Sequence, residues 1–241
     1  VGRKGKGKRL IGMAGMEIKT ITAFVPMRSH SQRVIGKNYR LLDGRPLYQH
    51  VLSTLLQVSE ITQIVVDTDS DEIITGIREH FPEIKVLLRP EFLRSDATPM
   101  NEILLYDVQQ FPSDLYLQTH STNPLVKAET FSRAVQTLVS LFPSYDSLFG
   151  VTRLQSRLWD GMGRAINHNP AILLQTQDLP PVYEENSCVY LFTAETLRRK
   201  RNRLGDRPYL FEIDRDEAWD IDEEIDFRLV ELFIQARAAQ K

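Results

Sequence analysis

The stretch AFVPMRSHSQRVIGKNYRLLDGRPL, residues 23–47, decides the fold. An apolar run that begins with TITAFVPM (20–27) empties into a helix-poor loop carrying Arg28, Arg33 and Lys37 and closed by Asn38. In open parallel sheets ligands bind beyond the carboxyl ends of the strands, so a basic loop directly after a first strand predicts an anion site in an α/β fold. Two guanidinium groups, an ammonium and turn N–H groups suit a triphosphate: arginine gives forked contacts and lysine a point charge. The loop has no G-x-x-x-x-G-K-[ST], and no G-x-G-x-x-G follows the strand, so the common glycine-rich phosphate loops do not apply.

Outward from this stretch, β-branched runs alternate with segments of helical period. QIVVDT (63–68), KVLL (85–88), DLYLQT (114–119) and SLFGVTR (147–153) read as strands. Leu47, Val51, Leu55 and Val58 mark one helix face, and Ile73, Ile74, Ile77 and Phe81 a second. Ile103, Leu104, Val108 and Phe111 mark a third, and Phe131, Val135, Leu138 and Phe142 a fourth. This alternation predicts an α/β fold: a Rossmann-like, mostly parallel sheet flanked by helices. Residues 154–192, rich in Gly, Pro and polar residues, break the alternation and read as an inserted arm. After it come a helix near 193–201, a strand near 209–213 and a last helix with Ile225, Leu229, Leu232 and Phe233 on one face.

Composition narrows the partners. Of 241 residues, 42% are hydrophobic and 26% charged, as in an ordinary globular protein. The first ten residues, VGRKGKGKRL, hold five bases and no acid; the remaining 25 bases face 32 acids, a net −7 that argues against nucleic-acid binding. Residues 1–15 read as a disordered basic tail, and 16–241 as the folded domain. No run reaches the roughly 18 apolar residues of a membrane span, and a cytoplasmic protein is expected. A single cysteine, Cys188, allows no internal disulfide.

A second cluster, FEIDRDEAWDIDEEIDF (211–227), sets nine acids against one base. In extended backbone Asp220 and Asp222 point the same way while Ile221 points opposite. Paired carboxylates of this kind suit Mg²⁺, a hard cation often shared with substrate phosphates. Glu223, Glu224 and Asp226 read instead as an acidic helix start.

Taken in order, these residues resemble the acylneuraminate cytidylyltransferases, the CMP-N-acetylneuraminic acid and CMP-Kdo synthetase family. The resemblance rests on MRSHSQRVIGKN (27–38), DTDSDEI (67–73), RPEFLRSD (89–96), LQTHSTNPL (117–125), QDLPPVYEENSCVY (177–190) and DIDEEID (220–226). It implies a sheet of the nucleotide-diphospho-sugar transferase type and transfer of CMP from CTP to a 2-keto-3-deoxy sugar acid, releasing pyrophosphate. By it Arg28, Ser31, Lys37, Asn38, Arg89 and Asp96 would be nucleotide-binding, with Arg33 set beside them to replace the charge of the family lysine this loop lacks, and Arg28, Lys37 and Asp222 would be catalytic. Gln118, Gln177, Tyr183 and Asn186 would be acceptor-binding, joined by His120 and Asn123 from this sequence's own longer pocket motif, and Asp220 and Asp222 would hold Mg²⁺. The arm at 154–192 would exchange between subunits of a homodimer. The sequence departs from the family at Gln32-Arg33, where the motif has Lys-Gly, at His120 and Asn123, which lengthen the pocket motif, and at Thr176, where members often carry Arg. These departures leave two alternatives open: a related nucleotidyltransferase acting on a phosphorylated or phosphonate acceptor, or a degenerate nucleotide-binding protein.

Overall fold

The computed structural model describes residues 10–11, 17–31 and 33–239. Most of the expected basic tail, and Gln32, lie outside the described residues. Leu10–Ile11, within that tail, pairs antiparallel with Glu17–Ile18. Among the described residues seven strands form the central sheet: β1 (Ile21–Phe24), β2 (Gln63–Thr68), β3 (Lys85–Leu88), β4 (Leu115–Gln118), β5 (Ser147–Leu154), β6 (Val182–Phe192) and β7 (Pro208–Glu212). Their order is β7-β5-β6-β4-β1-β2-β3. Every pairing is parallel except those of β6, which runs antiparallel to both β4 and β5. Among the described residues six α-helices accompany the sheet: α1 (Leu47–Leu55), α2 (Asp71–His80), α3 (Met100–Gln110), α4 (Ala128–Leu141), α5 (Ala194–Lys200) and α6 (Glu224–Ala239). Among the described residues no helix is long and apolar enough to cross a membrane.

The apolar runs in β1, β2 and β4 are continuous because both faces of the sheet are covered. Ala23, Ile64 and Leu117 pack in the same core as Val51, Leu55, Ile73, Ile77, Phe131 and Val135 of α1, α2 and α4. The neighbouring residues Phe24, Val65 and Tyr116 pack in the opposite core with Leu104 and Val108 of α3 and Leu197 of α5. There Phe24, Tyr116 and Phe192 stack in series at 5.5 and 5.8 Å between ring centroids.

Two sequence expectations change. The irregular segment is shorter than 154–192, because 182–192 is strand β6 and pairs with β5 from Val182↔Leu154 to Phe192↔Ser147. The face of α6 also differs: Phe227 and Val230 are buried with Ile221, Leu42 and Leu125, whereas Ile225, Leu232 and Phe233 are exposed and Leu229 is half-buried. The side of the helix that packs is the one that seats Ile221.

Arg89 is a third correction. Expected at the nucleotide, it is 1% exposed, and its guanidinium donates to the fully buried Asp67 carboxylate and, at 3.3 Å, to the Asp67 carbonyl. Asp107 of α3 is also fully buried; burial first, and then the neighbouring Asp67 charge, push its carboxyl up to about 10. One guanidinium thus faces two carboxyl groups, one of which keeps its proton at neutral pH. The folded chain retains a proton that the unfolded chain releases above the ordinary carboxylate range. This site therefore favours unfolding increasingly as pH rises from about 4 towards 10. Urea unfolding should show Asp107→Asn gaining stability relative to wild type between pH 5 and pH 9. Arg89→Met should cost about 3–5 kcal/mol, because it leaves a buried carboxylate unpaired. A pH-independent difference between wild type and Asp107→Asn would contradict the protonated pair.

Candidate active site

The carboxyl ends of β1 and β4 lie side by side where the strand order reverses, which is where an open sheet leaves a crevice. A cleft of about 500 Å³ opens there, lined by residues of the loops after β1 and β4, together with Asp96 and Met100. That volume suits a small-molecule ligand.

Beyond β1, Val25 and Met27 still donate to the carbonyls of Val65 and Asp67. At Arg28 the chain turns away. Ser29 fastens the turn, its N–H and hydroxyl donating to Asp69 after β2 at 2.7 and 3.0 Å. Burial alone would raise the Asp69 carboxyl, but these bonds hold it below its ordinary value. The loop then coils tightly: Val34 N–H donates to Ser31 Oγ, Lys37 N–H to the Val34 carbonyl, and Arg40 N–H to the Gly36 carbonyl. Gly36 sits at φ 65°, and a Cβ there would lie 2.6 Å from the Tyr39 ring, so this turn needs glycine.

The coil turns Lys37 inward. Its ammonium, with the side chain 10% exposed, donates to the Ile221 carbonyl and lies 3.3 Å from Asp222 Oδ1. Asn38 donates from Nδ2 to the Arg28 carbonyl at 2.9 Å and accepts from Ser121 Oγ at 2.7 Å, which ties the loops after β1 and β4 together. Arg28 meets Asp96 at 3.1 Å, and Arg33 meets Asp222 at 2.7 Å. With Arg28 and Arg33 side chains 35% and 62% exposed, such pairs contribute only about 0–1 kcal/mol each. An incoming anion can therefore take these guanidinium groups from their carboxylates at little cost.

The carboxylate pair reaches the same place from the other end of the chain. Ile221, fully buried, anchors it, and its N–H donates to the Thr122 carbonyl at 2.9 Å. Asp222 and Glu223 N–H groups donate to Asp226, and Glu224 pairs with Arg40, as an acidic helix start predicts. Burial, then Thr122 acting in opposition and the neighbouring Asp222 charge, leave the Asp220 carboxyl raised. Its Oδ1 is buried with no hydrogen-bond partner among the described residues. An orphaned carboxylate oxygen beside a second carboxylate is what a divalent cation would satisfy, so the residues present fit Mg²⁺. A separate group, Asp214, Asp216 and Glu217, is already engaged: Lys127 and Thr130 take Glu217, and Arg237 takes Asp216.

At the end of β4 Gln118 is fully buried, and two residues on, His120 lines the cleft. Gln118 Nε2 lies 3.0 Å from His120 Nε2, and Gln118 Oε1 accepts from Arg203. Burial, followed by the Arg203 charge, lowers the His120 pKa to about 4, with Lys37 adding to the effect against Asp222. His120 is thus neutral at physiological pH. A base of that pKa takes a proton poorly at pH 7, which favours a hydrogen-bonding role over general-base catalysis.

Arg28, Ser31, Arg33, Lys37, Asn38, Asp96 and His120 line the cleft, Gln118 lies behind His120, and Asp222 meets Lys37 and Arg33. Four expected acceptor residues do not line it. Asn123 is fully buried, its amide on the carbonyls of Trp219 and Asn186. Asn186 is buried where the β5–β6 register shifts, bonding Thr152 Oγ1 and the Cys188 N–H. Gln177 lies exposed on a 3-10 turn beside Arg153 and Arg215, and Tyr183 stands opposite Arg153 in β6. Sequence reasoning missed Ser121, Thr122 and Arg203. The first two are legible only once β4 is placed beside β1, and Arg203 hides in a basic run.

The sequence pattern of one family, described as cytidylyltransferase, matches residues 22–239. The chain belongs to the cytidylyltransferase family. This cytidylyltransferase is 32% identical over 232 residues to the CMP-N,N'-diacetyllegionaminic acid synthase of Legionella pneumophila, across 89% of this chain and 96% of that protein. It is 24% identical to the N-acylneuraminate cytidylyltransferase A of Danio rerio, across 88% of this chain and 50% of that protein. A solved CMP:2-keto-3-deoxy-manno-octonic acid synthetase complexed with CTP shares the fold at TM-score 0.70 and 14% identity, over 90% of this chain and 99% of that one. A 4-diphosphocytidyl-2C-methyl-D-erythritol synthase from Anaerococcus prevotii shares it at TM-score 0.64 and 14% identity, over 90% and 96%.

Arg33 supplies a test of the loop. Because its pair with Asp222 is exposed, Arg33→Ala should leave the urea midpoint nearly unchanged while weakening CTP binding about tenfold, roughly 1.4 kcal/mol, in calorimetry. Unchanged CTP affinity would show that Arg33 is only solvated.

Proposed function

We propose that this cytidylyltransferase transfers CMP from CTP to a sialic-acid-like 2-keto-3-deoxy sugar acid in a Mg²⁺-dependent reaction that releases pyrophosphate, in the cytoplasm and as a homodimer. The observation that carries the reading is the meeting of the basic loop with the Asp220/Asp222 pair at Lys37. The names of the Legionella and Danio relatives support the acceptor class.

The acceptor's anomeric hydroxyl attacks the α-phosphorus; its oxygen–phosphorus bond forms as the α-phosphorus bond to the bridging oxygen breaks, pyrophosphate leaves, and the hydroxyl proton passes to solvent. Arg28, Arg33 and Lys37 balance charge on the triphosphate and hold it for in-line attack. Asn38, fixed between Arg28 and Ser121, sets the loop's position against β4. Asp220 and Asp222 would hold Mg²⁺, which when bound neutralises charge at the reacting phosphate. Lys37, 3.3 Å from Asp222, orients that carboxylate.

Pyrophosphate release, followed with Mg²⁺ and a panel of nonulosonic and octulosonic acids, should require CTP and an acid. In the same assay Asp222→Asn should lose about 100-fold or more in turnover with little loss of stability. Equal rates with ATP, GTP and UTP would remove the cytidine assignment, and full activity of the variant would remove the metal role.

The homodimer reading rests on the arm between β5 and β6. It exposes Leu173 at 87% and also leaves Ile166, Ile172 and Leu174 open to solvent, more apolar surface than an arm of one isolated chain needs. Sedimentation should find wild type dimeric and Leu173→Glu shifted towards monomer; a monomeric wild type would discard the assembly.

A further inference from the structure

We infer that Arg203 is the specificity residue that recognises the acceptor's carboxylate. The inference rests on the reading that the acceptor is a sugar acid. Arg203 lies in the loop 201–207 after α5, outside every motif that carries the resemblance.

Its position is fixed from both sides. Its own N–H donates to Asn101 Oδ1 at 3.1 Å, one residue from the cleft-lining Met100. Further along the loop, Gly205 N–H donates to Ser147 Oγ, and Asp206 and Arg207 N–H groups donate to Asp146, at 2.8, 2.9 and 3.0 Å. The guanidinium lies 3.4 Å over the Tyr190 ring and donates to Gln118, whose amide meets the cleft-lining His120. A stacked, loop-anchored guanidinium is already oriented, so little side-chain freedom is lost when it binds.

Its charge is the least balanced of the basic groups around the cleft. Arg28, Arg33 and Lys37 each have a carboxylate within 3.3 Å. The Arg203 side chain is only 15% exposed, yet its ion-pair partner Glu185 stands 3.9 Å away and accepts from the Tyr190 hydroxyl. Burial lowers the Arg203 pKa, as expected of a cation held from water with little compensation. Arg203 stands behind the cleft wall rather than in its lining, and it reaches the cleft through Gln118, which accepts from it and lies 3.0 Å from His120.

An anion next to Arg203 would complete this balance, and the reaction brings two anionic groups. The triphosphate has Arg28, Arg33 and Lys37. The carboxylate of the acceptor is planar and bidentate, the shape a guanidinium fork fits. The arm does not compete for it: Thr176 stands where the resemblance implies arginine, Arg157 donates to the Leu174 carbonyl, and Arg164 pairs with Asp160. In this chain the carboxylate receptor has moved from the arm to the loop after α5.

The test compares Arg203→Gln and Arg203→Lys with wild type, using N-acetylneuraminic acid, N,N'-diacetyllegionaminic acid and their methyl esters as acceptors, with CTP affinity measured separately. Arg203→Gln should raise KM for the acids by roughly 10- to 100-fold, keep CTP affinity within about twofold, and bring the acid-to-ester preference close to one. Arg203→Lys, retaining charge without the fork, should fall between and keeps the test decisive if the glutamine variant fails to fold. An acid-to-ester preference equal to wild type in the folded variant overturns the role of Arg203 and leaves the proposed function standing. A wild type that turns over no acid overturns the function reading, and this inference with it.

Discussion

The Lys37 ammonium is the constraint on which the site depends. It is nearly buried, and a buried cation must find oxygen acceptors. It finds them in the Ile221 carbonyl and the Asp222 carboxylate, 184 and 185 residues away. That contact makes one object of two loops that the chain writes at opposite ends. Ile221 is in turn held by the small core it shares with Leu42, Leu125 and Phe227. Packing of α6 thereby fixes where the carboxylates stand relative to the basic loop after β1.

The same chain uses arginine in two physically different ways. Arg28 and Arg33 hold their carboxylates at the surface, where water screens the pair and exchange for another anion is cheap. Arg89 is bound to Asp67 in the interior, where releasing it would leave a charge with neither partner nor water. Motif position alone does not distinguish these cases, because burial decides which guanidinium is available. Arg203 stands between them, mostly buried yet incompletely neutralised.

Much of the fold was legible because strands covered on both faces leave unbroken apolar runs, and these set β1, β2 and β4 to within a few residues; the edge strand β3, exposed at Lys85 and Leu88, and β5 were legible from short apolar runs. β6 was not. It is antiparallel, bent where its register shifts, and carries Glu184, Glu185, Asn186 and Ser187, the last at φ 60°, in what would otherwise be an apolar run. The packed face of α6 was misread because both faces carry apolar residues, and only the neighbour supplied by Ile221 selects between them. In the site, the loop after β1 and the Asp220/Asp222 pair could be read from charge and spacing. Asn123 and Asn186 could not, since an amide that braces backbone and one that greets a ligand look alike in sequence.

The pairing of Leu154 with Val182 has a consequence for how such proteins diversify. Both stems of the arm leave the sheet from adjacent, hydrogen-bonded positions, so the segment between them closes a loop whose entropy grows only slowly with length. It can be lengthened, shortened or exchanged as a cassette while the strands beneath keep their register. The end of the cleft built on β1, β4 and the start of α6 is insulated from such changes. Chemistry and recognition can then evolve at different rates within one continuous chain.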